Sequence, residues 1–208
     1  MIVTTPTPHR FSPADYLTWE AQQPLKYEYL QGVAYAMTGG TLAYNSIAVN
    51  LTTALKPHLR GKGCKVFMAD AKVEVSSQGP YFYPDVVVTC HPHDQHANDL
   101  IRDPSVIIEV LSPSTASFDR GDKFKCYRRI PTLQDYVLVD AEQVSVDCYR
   151  RQASGTWELL PLPSDATSDS LDGELFRLAS LDFECPLSLI YEGVDLLDVP
   201  PYQSLLNL

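Results

Sequence analysis

Tyr83-Pro84-Asp85-Val86-Val87-Val88 and Ser105-Val106-Ile107-Ile108-Glu109-Val110-Leu111-Ser112-Pro113-Ser114-Thr115 decide the reading of this chain. Each stretch is a short apolar run rich in β-branched residues and bordered by turn formers, which predicts a buried strand. Each also holds one carboxylate that such a strand should not tolerate. Asp85 opens the first strand, and Glu109 sits near the end of the second. Burying a carboxylate is costly unless it is paired or binds a cation. Two of them on successive strands point to a metal site.

Working outward, Ser12 is placed to cap a helix whose first position is Pro13 and which ends before Pro24. Lys26-Tyr27-Glu28-Tyr29-Leu30, a Gln31-Gly32 turn and Val33-Ala34-Tyr35-Ala36-Met37 predict a β-hairpin. Alternation puts Lys26, Glu28 and Leu30 on one face and the two tyrosines on the other. After Gly39-Gly40, Ile47, Leu51, Ala54, Leu55 and Leu59 recur at helical spacing over about 18 residues, with Pro57 bending or shortening the end. Residues 64–75 predict one strand, and residues 91–104 a polar loop. Asp119 is placed to cap a helix running to about Ile130, where Pro131 stops it. Strands follow over 135–140, 144–150 and 157–160, then a Ser/Asp/Pro-rich loop over 163–173. A short strand over 175–178 and a helix over 186–191 close the pattern. The whole predicts a flexible arm over 1–10 and, over 11–208, one α/β domain with a mixed β-sheet flanked by helices.

The chain has 208 residues and a net charge of −10. That charge is uneven: residues 152–208 hold ten acids and one base, leaving fifteen bases and sixteen acids in the remainder. Charge therefore neither excludes nor indicates nucleic acid. The chain contains no apolar run near the ~20 residues that a membrane-spanning helix needs, and residues 1–10 lack a signal-peptide core, so a cytoplasmic protein without membrane association is expected. The five cysteines are odd in number and widely spaced, with no C-x-x-C pair. They read as small buried hydrophobes rather than a disulfide framework or zinc site.

Taken together, the Tyr-Glu hairpin, the long helix, Tyr83-Pro84-Asp85-Val86-Val87-Val88, Glu109-Val110-Leu111-Ser112-Pro113-Ser114-Thr115, Asp119-Arg120-Gly121-Asp122-Lys123 and Asp135-Tyr136-Val137-Leu138-Val139-Asp140 resemble the Uma-two family of restriction-endonuclease-like domains. That family sits within the PD-(D/E)XK nuclease-like superfamily. The resemblance runs from about Phe11 to Tyr191 and implies a restriction-endonuclease-like fold. It also implies a nuclease using Mg²⁺ (or Mn²⁺), with DNA as the nucleic-acid partner. By it, Asp85 and Glu109 become metal ligands, with the main-chain carbonyl of Val110 as a third and Glu28 as a further catalytic acid. The superfamily lysine two positions after Glu109 is Leu111 here, and the resemblance moves its role to Lys123 on the following helix. Helical spacing sets Arg120 and Tyr127 on the face of Lys123, where they would meet substrate. The resemblance also implies a His near Tyr44, which this chain lacks.

Plainer readings stand beside these. Asp85 after Pro84 suits a turn or the start of a strand, Glu109 suits a salt bridge to Lys123, and Glu28 suits a pair with Lys26 or with a neighbouring strand. Lys123 alone is one of five bases on a run, 120–129, that fits either a phosphate-contacting face or a surface balancing the acidic tail. His91, His93 and His96 look metal-like, but loops of this composition are more often solvated. Ser112, Ser114 and Thr115 lack a nucleophile elbow and suit capping. Gly61-Lys62-Gly63 lacks phosphate-loop spacing. The competing function classes are a nuclease fold used as a binding or assembly module, and a small-molecule phosphodiesterase. Tyr81, Phe82 and Tyr83, read as exposed aromatics, favour a homodimer.

Overall fold

The computed structural model describes residues 10–37, 39–163 and 173–196. The arm expected over 1–10 and the loop expected over 163–173 fall almost wholly outside those residues. In chain order come α1 (Pro13–Glu20), β1 (Tyr27–Leu30), β2 (Val33–Ala36), α2 (Leu42–Leu59), β3 (Lys65–Met68), β4 (Lys72–Glu74), β5 (Tyr81–Phe82) and β6 (Val86–Thr89). A 3-10 turn (Pro92–His96), β7 (Leu100–Ile101) and β8 (Pro104–Leu111) follow. Next are α3 (Ala116–Phe118), a π-helical turn (Asp119–Lys123), α4 (Phe124–Tyr127) and β9 (Asp135–Asp140). Then come β10 (Val146–Arg151), β11 (Trp157–Leu162), β12 (Leu175–Leu178), β13 (Phe183–Pro186) and α5 (Leu187–Ile190).

The expected mixed sheet is six-stranded, in the order β11-β10-β9-β8-β6-β3. Its one parallel pair is β8 with β9, joined through the α3-to-α4 helix, and the other pairs are antiparallel. Strand alternation gives each of its faces a separate core. Val86, Val88, Val106, Ile108, Val110, Val137 and Val139 face α2, whose Ile47, Leu51 and Leu55 are fully buried. Val87, Ile107, Leu111, Tyr136 and Leu138 face the α4 side, packing with Phe82 and Tyr127. Glu109 shares the parity of Ile107 and Leu111, so it is aimed at the crossover helix rather than at α2.

A five-stranded sheet in the order β2-β1-β5-β4-β7 and a β12-β13 ribbon accompany the mixed sheet. The chain changes sheets between β5 and β6. Pro84 sits at that junction and has no amide to donate to a ladder, so neither strand extends through it. Asp85 therefore stands where the two sheets meet. Continuing the β6–β8 register, Val86 against Ile108, by one residue sets Asp85 opposite Glu109.

Several local expectations change. The strand expected over 64–75 breaks at Ala69, which takes a left-handed φ of 58°. The loop at 91–104 contains the 3-10 turn and β7. Asp119 is not a cap: the helix begins earlier, where Ser112 O accepts from Ala116 N at 2.9 Å, and Asp119 lies buried inside it. Tyr81, Phe82 and Tyr83 are at most 2% exposed, so they offer no surface to a second copy. Neighbouring rings cover Tyr81 and Phe82, and Glu20, Lys26 and Lys72 surround Tyr83.

The cysteine expectation is overturned for one pair. Cys64 and Cys90 form a disulfide, leaving Cys126, Cys148 and Cys185 free. Lys65 pairs with Thr89 across β3 and β6, and the same register continued by one residue brings Cys64 against Cys90. Only the strand register makes these two distant cysteines neighbours.

Candidate active site

Four elements converge on one small cavity. Glu28 comes from β1, Asp85 from the sheet junction, Glu109 from β8 and Lys123 from the end of the π-helical turn. All are at least nine-tenths buried. The Lys123 ammonium lies 2.9 Å from Glu109 Oε1 and 3.1 Å from Glu28 Oε1, with Asp119 Oδ1 at 3.6 Å. Glu28 thus pairs with Lys123 and not with Lys26, whose ammonium sits over the Tyr83 ring. Lys123 is not a solvated surface base.

Donors from the surrounding frame aim the carboxylates. Asp85 Oδ2 accepts from the Val110 amide at 2.7 Å, and Asp85 Oδ1 accepts from the Tyr44 hydroxyl of α2. Glu109 Oε1 accepts from Tyr127 Oη at 3.1 Å. Glu28 Oε1 accepts from the Tyr83 amide at 2.9 Å. Tyr83 also donates its hydroxyl to Glu20 Oε1 at 2.8 Å, and Glu20 pairs with Lys72 at 2.8 Å. Tyr136 Oη holds the Asp119 carbonyl at 2.9 Å, anchoring the π-helical turn to β9.

That turn explains which residues meet. A π-helical turn closes i→i+5 bonds and takes one residue more than an α-helical turn. Asp119, four before Lys123, comes beside its ammonium, whereas Arg120 turns outward and pairs with Asp147 on β10. Arg120 is therefore not among the residues lining the cavity, and Tyr127 is fully buried behind Glu109. Val110 lines the cavity, as do Tyr44, Tyr83, Thr115 and Asp119. Sequence reasoning named neither Tyr44 nor Asp119 as part of the site. Asp119 carried a signal, since an acid four residues from Lys123 is within pairing distance on a helix. Tyr44 carried none beyond its place where the resemblance expected a histidine.

Burial dominates the electrostatics. It raises the pKa of Glu28, Asp85 and Glu109 above the usual carboxylate range, despite the opposing pull of Lys123 and of backbone donors. For Lys123 burial works downward, but the Glu109 and Glu28 carboxylates outweigh it and hold the ammonium well above its ordinary value. Among the described residues, four carboxylates surround a single ammonium, and Glu28 Oε2 is buried with no hydrogen-bond partner. Excess negative charge and an orphaned hard oxygen fit a divalent cation such as Mg²⁺. The cavity measures about 10 Å³, room for a single water.

A chain with this α/β fold and a buried carboxylate–lysine cluster at the end of its central strands has the build of a nuclease-fold protein. The model of the Uma2 family, described as "Putative restriction endonuclease", matches residues 13–184, and the chain belongs to that family. It is 38% identical over 185 residues to the uncharacterized protein slr1290 of Synechocystis sp., covering 89% of this chain and 93% of that one. It is 33% identical over 151 residues to the uncharacterized protein sll1609 of the same organism, covering 72% and 85%. Among solved structures it is similar to that of "a putative nuclease belonging to DUF820" from Anabaena variabilis. The TM-score is 0.67 at 16% identity, covering 88% of this chain and 98% of that one, which shows a shared fold.

Proposed function

We propose that this protein is a metal-dependent nuclease that hydrolyses phosphodiester bonds of DNA. The observation that carries the reading is the convergence of Asp85, Glu109, Glu28 and Lys123 on one cavity, with Glu28 Oε2 left without a partner among the described residues. Asp85 and Glu109 are the residues to hold Mg²⁺ or Mn²⁺, with Glu28 and the Val110 carbonyl completing the oxygen set. Such a cation supplies an activated water and a clamp on a phosphate oxygen.

The chain's own residues do the remainder. Tyr44 and the Val110 amide fix the Asp85 carboxylate, and Tyr127 fixes Glu109, as outer hydrogen bonds orient metal ligands in other sites. Tyr127 is thus a positioning residue in this reading. Lys123, held protonated by its neighbours, is the group to face charge developing on the phosphate. Arg120, about a third exposed at the rim of the helix, would reach a phosphate backbone only by leaving Asp147.

The test is cleavage of supercoiled plasmid and of single-stranded DNA with Mg²⁺ or Mn²⁺, comparing wild type with Asp85→Asn and Glu109→Gln. The variants are expected to lose at least about 100-fold in rate, on the scale of removing one charge-stabilising group. Equal rates in all three proteins, or no wild-type cleavage with either metal, would remove the reading.

One observation favours a second reading, a nuclease fold used as a binding module. The cavity holds about one water, and Lys123 already pairs with two of the acids. Calorimetric titration separates the two readings, because the binding module takes up neither Mg²⁺ nor Mn²⁺.

A further inference from the structure

Outside this cavity lies a cluster of different chemistry. His91 and His93 flank Pro92 at the start of the 3-10 turn, and Asp103 stands just before β8. Asp103 Oδ2 is 3.3 Å from His91 Nδ1 and 3.0 Å from His93 Nδ1, and all three ligand atoms lie within 4.8 Å of one another. A tetrahedral ion with ligand bonds of about 2.0–2.1 Å has ligand–ligand edges of about 3.3 Å. The two nitrogen–oxygen separations match such edges.

The surroundings hold the three residues together. The His93 amide reaches His91 Nδ1 at 3.3 Å, a long bond that an ion at that nitrogen would replace. The frame beneath is rigid. Asp94 is 1% exposed, and its carboxylate accepts from the Arg102 amide at 3.1 Å, the Asp103 amide at 2.9 Å and Thr89 Oγ1 at 2.8 Å. The Cys64–Cys90 disulfide ties down the residue just before His91. The histidines themselves are about half exposed, open to an ion from solvent.

We propose that His91, His93 and Asp103 form a second metal site, taking a divalent transition cation of the zinc, nickel and copper group. Imidazole nitrogens prefer these ions to Mg²⁺, which keeps the site distinct in chemistry from the all-oxygen cavity. Three protein ligands leave a position for water or an incoming group. The bound ion closes the 91–103 loop by joining its two ends. None of the three residues lines the nuclease cavity, so this inference stands independently of the proposed activity.

The experiment adds one equivalent of Cu²⁺ to the full chain, free of any histidine tag, with Mg²⁺ in excess, and records the electron paramagnetic resonance spectrum. Nitrogen hyperfine couplings from imidazole are expected in wild type and in Glu109→Gln. They are expected to vanish in the His91→Gln/His93→Gln double variant, with at least about tenfold weaker binding, since even outer partners of a metal ligand cost that much. His96 remains in that variant as a control for casual histidine binding. Should the double variant not fold, Asp103→Asn, which keeps the side-chain shape, is expected to weaken binding similarly. A wild-type spectrum without nitrogen coupling, or nitrogen coupling and affinity unchanged in the variants, overturns the site.

Discussion

Lys123 Nζ lies 2.9 Å from Glu109 Oε1, although one residue ends a π-helical turn and the other lies in the mixed sheet. Both groups are nine-tenths or more buried, so the pair is screened by neighbours and not by water. Removing one partner of such a pair costs more than the pair contributes, because the remaining charge is stranded. Lys123→Met is accordingly expected to lose about 3 kcal/mol of unfolding free energy at neutral pH without added metal. Urea denaturation checks this, and a loss below about 1 kcal/mol would mean that the acids do not depend on the ammonium.

The pH dependence follows from burial. Glu28, Asp85 and Glu109 have folded pKa values above their unfolded ones, so the folded state holds these protons more tightly. Stability from this source is fully present below the unfolded carboxylate range, about pH 4, and is lost as pH rises through the folded values. Lys123 is also raised, so its contribution stays constant until far higher pH. In chelator, the melting temperature is expected to fall, as pH rises above the ordinary carboxylate range, more steeply in wild type than in Glu109→Gln. Thermal scans with and without Mn²⁺ test this, since metal should flatten the wild-type slope. Parallel slopes in the two proteins would contradict it.

Tyr44 reaches Asp85 from α2, on the far side of the sheet from the lysine helix. Tyr44→Phe keeps the ring and removes the donor. It is expected to weaken Mn²⁺ binding by about tenfold with little change in the unfolding midpoint. Calorimetry paired with denaturation reads both. Unchanged affinity would make Tyr44 a packing residue only.

Leu51 provides a contrast. It is fully buried between α2 and the valines of the mixed sheet and is not among the residues lining the cavity. Leu51→Ala is expected to cost about 3 kcal/mol, the usual range for a buried leucine, while metal affinity per folded molecule stays the same. Denaturant midpoints and calorimetry on the folded fraction distinguish these effects.

The disulfide makes a separate prediction. Cys64 and Cys90 close a loop with a sequence separation of 26. Chain-entropy reasoning gives about 3.5 kcal/mol for a loop of that size, and Cys64→Ser/Cys90→Ser is expected to lose up to that amount. Unchanged urea midpoints under reducing and oxidising conditions would show that the bond does not form.

Much of the frame was legible because it is local. Ser12 and Pro13 begin α1, the Gln31-Gly32 turn joins β1 to β2, and α2 spans the expected helical run. Asp85 and Glu109 stood out because acids interrupt apolar strands. What escaped depends on pairings that no short window contains. The division into sheets turns on Pro84 and on β1 choosing β5 as its neighbour. The disulfide rests on the β3–β6 register. Asp119 looked like a cap because its side chain suits one, yet Ser112 had already started the helix. The aromatics at 81–83 were read as surface because burial depends on the second sheet, which no window shows.

The π-helical turn carries a last consequence, for insertions and deletions. Each residue added to or removed from a helix rotates everything beyond it by about 100°. Deleting one residue within 119–123 would restore regular winding and swing either Lys123 or Tyr127 away from Glu109. The length of those five residues is thus held as tightly as their identity. Chains of this design are expected to vary freely in length at exposed turns such as Ser154-Gly155, and hardly at all here.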